Sequence, residues 1–101
     1  MKTGVPVVKV DAELADLIPN YMSNRWADLR TARQLLIARD FDELSRMAHR
    51  IRGSAASYGF VALGDIIQVL ETAAVEQDAA ATEVQLGAFE AFLHTVRIEY
   101  C

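Results

Sequence analysis

Cysteine is almost missing from this chain: Cys101 is the only one in 101 residues. A single thiol closes no internal disulfide, and none is needed in a reducing cytoplasm, where the protein is expected. Prolines number two, Pro6 and Pro19, so the strongest helix breakers are confined to the first fifth. No apolar run approaches the ~18 residues of a membrane span. The valine-rich start is interrupted by Lys9, Asp11 and Glu13 and makes a poor secretory signal. Positive charge is not in excess: ten basic against fourteen acidic side chains leave −4. That balance argues against a general nucleic-acid binder, which needs a basic footprint. There is no internal repeat, low-complexity tract or linker. Only two histidines occur, His49 and His94, and neither completes the Glu-x-x-His pair of a di-iron bundle.

What remains is an ordinary globular mixture, 52% hydrophobic and 24% charged, long enough for one domain. Residues 1–10 read as extended or frayed, and residues 11–101 as helical throughout. A short helix at about 11–18 gives way at Pro19, which suits the first turn of a second helix running to about Arg39 with Met22, Trp26, Leu29 and Leu36 on one face. Asp40 with Glu43 resembles a capping box and starts a third helix. Its stripe is Leu44, Met47, Ala48, Ile51, Ala55 and Tyr58, and Gly59 ends it as a C′ glycine. A fourth helix carries Leu63, Ile66, Ile67, Leu70, Ala73 and Ala74. A fifth is expected to begin at Thr82, with Gln85 three residues on, and to run through Leu86, Phe89, Leu93, Val96 and Tyr100. Four amphipathic helices joined by short loops predict an all-α fold, an antiparallel four-helix bundle with a short additional N-terminal helix. Such a bundle encloses its own stripes, so a monomer is expected.

Charge is unevenly spread. Residues 1–52 hold nine basic and seven acidic side chains, whereas residues 53–101 hold one and seven. Between Arg46 and Gly64 there is no acid, but Arg46, Arg50 and Arg52 all lie there. This basic island sits on the third helix. At ~100° per residue, His49 falls about 140° from the apolar stripe, on the solvent side. Gly53 lies directly over it, Arg46 is one turn earlier, Ala56 one turn beyond Gly53, and Arg52 flanks the group. The run Gly53, Ser54, Ala55, Ala56, Ser57 has no bulky side chain. A glycine inside a helix costs ~1 kcal/mol against alanine. On an outward face, room for a second body above His49 explains it better than core packing does.

The stretch Met47-Ala-His-Arg-Ile-Arg-Gly-Ser-Ala-Ala-Ser-Tyr-Gly59 resembles the signature of histidine phosphotransfer domains. It has the Ala-His, a basic residue three after the histidine, then Gly-Ser, and a second glycine ten after the histidine. Asp40-Phe41 and Leu44 before the motif, and Leu63, Leu70-Glu71 and Ala73-Ala74 after it, agree. The resemblance covers about residues 12–100. It implies a four-helix bundle in which His49 is phosphorylated, with Arg52 at a basic position usually held by lysine; arginine is the wider, planar donor. Arg46 and Arg50 are further candidates to offset phosphate charge. The resemblance places Gly53 and Gly59 at positions that let a partner approach, beside the small Ser54 and Ala56. It places Glu71 where a polar group can stand near the histidine. The partners implied are receiver domains of response regulators or hybrid histidine kinases. No metal or cofactor is implied for this chain, because the magnesium for phosphoryl transfer is expected on the receiver.

Three other classes compete with this reading. Glu90 and His94 share a helix face at i, i+4, a weak metal-site signal. A plain interaction or scaffold bundle accounts for the helices but not for the spacing around His49. In that reading Leu35, off the stripes, is either an ordinary exposed leucine or part of a docking patch near His49. A hydrolase is disfavoured, since Ser54 and Ser57 lie near His49 without a local acid or a strand-turn-helix elbow.

Overall fold

The computed structural model describes residues 4–101. Four helices carry it: α1 (Ile18–Ile37), α2 (Phe41–Tyr58), α3 (Val61–Val75) and α4 (Ala79–Thr95). α2 packs on α3, α3 on α4, and α1 closes the ring against both α4 and α2. With connections of two or three residues, consecutive helices run antiparallel, as the sequence predicts. The core is one continuous cluster in which Leu44, Phe60, Leu63, Ile67, Leu70, Leu86 and Phe89 are fully buried.

The three interhelical turns share one chemistry. Each helix ends in a residue with left-handed φ: Arg39 at 58°, Gly59 at 82° and Gln77 at 56°. The next residue then returns its N–H five positions back, Asp40 to Leu35, Phe60 to Ala55 and Asp78 to Ala73, at 2.8–2.9 Å. These are Schellman closures, which satisfy carbonyls that a helix end leaves free. Asp40 and Asp78 act twice, because their carboxylates also accept from Glu43 and Ala81 and cap the following helix. The Asp40 cap and the Gly59 stop therefore stand where the sequence places them.

Three boundaries differ from the sequence reading. The segment before Pro19 is a 3-10 helix, Ala12–Leu17, capped by Asp11, with Pro19 in the first turn of α1 as predicted. α4 starts a turn before Thr82, because Asp78 takes the cap and Ala79, Ala80 and Ala81 are strong helix formers. Thr82 is instead buried inside the first turn, its hydroxyl donating to the Asp78 carbonyl at 2.8 Å. At the other end the helix stops at Thr95. Val96 turns extended, and Arg97–Tyr100 forms a strand, β2, where a helix through Tyr100 was expected.

β2 pairs in parallel with β1 (Val7–Val10), Val7 opposite Arg97 and Val10 opposite Tyr100. So part of the segment read as extended or frayed is a strand, while residues 1–3 lie outside the described part. Val8 and Val10 face inward, at 4% and 1% exposure, and Ile98 packs on the same core. β1 also lies against the α2–α3 turn: a Cβ on Gly59 stands 3.6 Å from the Lys9 carbonyl oxygen.

Gly59→Ala keeps that contact ordinary but places a Cβ on a left-handed residue, which costs about 1–2 kcal/mol. The melting temperature, followed by circular dichroism, is expected to fall by roughly 4–8 °C per kcal/mol for a domain of this size. The spectrum stays predominantly helical.

Candidate functional site

α2 buries Leu44, Met47, Ala48, Ile51 and Ala55, and that choice of face fixes where every other side chain goes. His49 emerges on the outside with its side chain 67% exposed. Side chains in a helix lean toward its N-terminus, so the imidazole lies over the preceding turn. The cleft beside it is lined by Ser45, Arg46, Arg50 and Glu71. On the C-terminal side Gly53 is open: a Cβ built there meets nothing within 4 Å. Ala56 is exposed one turn further on. Among the described residues nothing lies within 4 Å of a Cβ built on Gly53, in keeping with the outward angle of this face.

α3 supplies the second half of the site. Glu71, 23% exposed, sets Oε2 3.2 Å from His49 Nδ1 and Oε1 3.4 Å from Arg52 Nη2. Arg52 Nη2 is also 3.2 Å from Nδ1. The three groups thus meet around one ring nitrogen, and their donors and acceptors decide its proton. A guanidinium only donates and an ionised carboxylate only accepts. If Nδ1 bears the lone pair, Arg52 donates to it, but Glu71 Oε2 then faces that lone pair at 3.2 Å and gains nothing from the imidazole. With the proton on Nδ1, the ring donates to Glu71, and Arg52 has Glu71 Oε1 as its own acceptor. The neutral ring is expected to carry its proton at Nδ1 and its lone pair at Nε2, the form in which Glu71 accepts from both the ring and Arg52. Among the described residues nothing accepts from or donates to Nε2.

The basic island is less basic in space than in sequence. Glu43, one turn before Arg46, has Oε1 3.3 Å from Arg46 Nη2 and Oε2 3.9 Å from Arg50 Nη2. Glu71 takes Arg52. So Arg46, Arg50 and Arg52 each face a carboxylate. The Glu43 contacts follow from i, i+3 and i, i+7 spacing on α2 and were open to sequence reasoning.

Other candidates sort away from the imidazole. Ser54 is half-buried on the α1 side, where its oxygen lies 3.3 Å from both Tyr21 Oη and Arg25 Nη1 and donates to the Ile51 carbonyl. It belongs to the α1–α2 contact, not to an open runway. Tyr21 and Arg25 lie 33 and 29 residues away, beyond any local pattern. Gly59 caps α2 and abuts β1, a structural task at the end of the helix. Leu35 is partly buried against the core rather than fully exposed. His94 stacks edge-on against Trp26, with Nε2 3.6 Å from Glu90, whose other oxygen takes Arg33. That cluster joins α4 to α1 and is separate from the Glu71 side.

Two measurements check this geometry. His49→Gln removes an exposed ring and is expected to change stability by less than ~0.5 kcal/mol in denaturant unfolding. Nitrogen-15 spectra of the neutral imidazole are expected to show the Nδ1-protonated tautomer as the main form. Glu71→Leu reverts the ring to the Nε2-protonated form that free histidine prefers; an unchanged tautomer contradicts the assignment.

No match was found among curated proteins or among solved structures. A family model described as Hpt domain does match, over residues 12–99, nearly the whole chain. Bundle, exposed histidine and its glutamate and arginine neighbours lie within that span. The chain belongs to the Hpt domain family, the histidine phosphotransfer modules of two-component signalling.

Proposed function

We propose that this chain is a phosphorelay intermediate in which His49 accepts a phosphoryl group from a receiver-domain aspartate, or from a kinase, and passes it to the aspartate of another receiver. The observation that carries this reading is a single one. An exposed histidine has Nδ1 engaged by Glu71 and Arg52, at 3.2 Å each, so that Nε2 is the ring nitrogen left for an incoming group, on a face cleared by Gly53 and Ala56.

The step follows from that geometry. Nε2 attacks the phosphorus of the aspartyl phosphate in line. The N–P bond forms as the P–O bond to the aspartate breaks, and its electron pair leaves on the carboxylate. The phosphorylated ring is cationic, and its charge stays on a proton already directed at Glu71. No proton has to move, so the return step needs only a second aspartate in line with the same bond. Such transfers draw on positioning and charge neutralisation more than on covalent help from the protein. Arg46, Arg50 and Arg52 supply the positive charge. The magnesium is assigned to the receiver. The protein turns over only with its partners, as a carrier rather than an enzyme, and as a monomer in the cytoplasm.

The adduct is expected to be acid-labile and base-stable, since a phosphoramidate leaves readily once its nitrogen is protonated. His49→Gln is expected to take up no label from a phosphorylated receiver; labelling of that variant sinks the assignment. Gly53 gives a sharper test. Gly53→Ala is expected to raise stability by roughly 0.5–1 kcal/mol. Gly53→Leu is expected to stay folded and slow transfer by about 100-fold, the order that ~1 Å of displacement at a reacting centre costs. A folded Gly53→Leu protein that transfers at the parent rate removes the approach-corridor argument.

A further inference from the structure

Glu43 is a charged residue beside the site that neither the motif nor the transfer step uses. It lies two turns before His49 on α2, 41% exposed, with its backbone N–H capped by Asp40. Its two oxygens face the two arginines that line the cleft under the imidazole. Arg46 stands at i−3 to His49, where the ring leans, and Arg50 at i+1 lines the same cleft. A phosphoryl group on Nε2 adds about −1.5 to −2 charges and three strong acceptors next to that cleft. It then meets guanidiniums already committed to another carboxylate. The remaining charges nearby are fixed otherwise: Arg52 is held by Glu71, and on the α1 side Arg25 is paired with Asp28 beside Arg50.

We propose that Glu43 is a positioning residue that sets how firmly the phosphoryl group on His49 is held, by competing with it for Arg46 and Arg50. This rests on the reading of His49 as the phosphorylated residue. A relay intermediate must not become a sink. Arginines free of any partner stabilise phosphohistidine and resist handing the group on. Arginines with a competing carboxylate one or two turns away neutralise charge during transfer but hold the product less tightly. Exposed ion pairs are weak, so the tuning is modest, about 1.5- to 5-fold.

The test uses the full chain and phosphoramidate as donor, so no partner is required. Nε2 attacks phosphorus and ammonia leaves with the electron pair of the broken P–N bond. Phosphorus-31 spectra then follow the last ionisation of the phosphoryl group, in the signal that wild type gives and His49→Gln lacks. Arginine contacts favour the dianion. Glu43→Gln is therefore expected to raise the dissociation constant of that proton about 1.5- to 5-fold. In an Arg46→Gln, Arg50→Gln background the same substitution is expected to have less than half the effect. The two arginine substitutions alone are expected to lower the constant by a similar factor, which keeps the idea testable if Glu43→Gln folds poorly. No shift with Glu43→Gln, an equal shift in both backgrounds, or no change on losing the arginines overturns the proposal. If wild type gives no signal that His49→Gln lacks, the assignment of His49 itself has failed. If that signal is present and Glu43→Gln leaves it unmoved, only the competition is refuted.

Discussion

The contact between α2 and α3 decides everything else about this molecule. α2 must bury Leu44, Met47, Ala48, Ile51 and Ala55, and α3 must bury Leu63, Ile67, Leu70 and Ala74. Once those stripes interlock, the rotation of both helices is set. His49 and Arg52 then project along the seam, and Glu71, adjacent to the buried Leu70, comes up on its other side. No part of the site needs a cavity or a strained backbone. Hydrophobic packing, worth roughly 1.5–3 kcal/mol per buried aliphatic side chain, supplies the alignment. The polar groups that use it sit where water screens them, so the fold carries the precision and the site carries little of the stability.

Much of this was legible in the chain because it is local. Helix stripes repeat every three to four residues, and caps such as Asp40 act within three. The angle of His49 from the stripe and the emptiness above Gly53 follow from helix geometry alone. What escaped is what pairs residues far apart. The Arg25 and Tyr21 contacts that draw Ser54 toward α1 are one case. The β1–β2 pair is the clearest: Arg-Ile-Glu-Tyr continues a helical pattern well enough until Val7–Val10 is brought alongside it. Thr82 was misread for another reason. The cap falls to Asp78, four residues earlier, and Ala79, Ala80 and Ala81 offer nothing to oppose a helix there.

The distribution of acids is the feature that composition described least well. The chain is acidic overall, yet the turn around His49 looks basic when read linearly. In three dimensions Glu43 and Glu71 stand against its arginines from both sides. One holds the N-terminal pair and the other holds Arg52 and the ring. The face is neither a bare cationic patch nor a neutral one. Its cations are held loosely in place, ready to exchange partners, which suits a surface that must meet an acidic group and then release it.

The strand pair has a kinetic consequence. The helices and their turns close over short separations and form early, whereas β1 meets β2 only when residues 90 apart come together. Closing so long a loop is entropically unfavourable and yields a four-residue ladder in return. The ladder therefore docks last, onto a bundle already compact, and is the first element to peel away in native fluctuations. Its release uncovers Val8 and Val10 and frees the α2–α3 turn at Gly59, ten residues along the chain from His49. Amide exchange at β1 and β2 is thus expected to run ahead of exchange in the middle of α2.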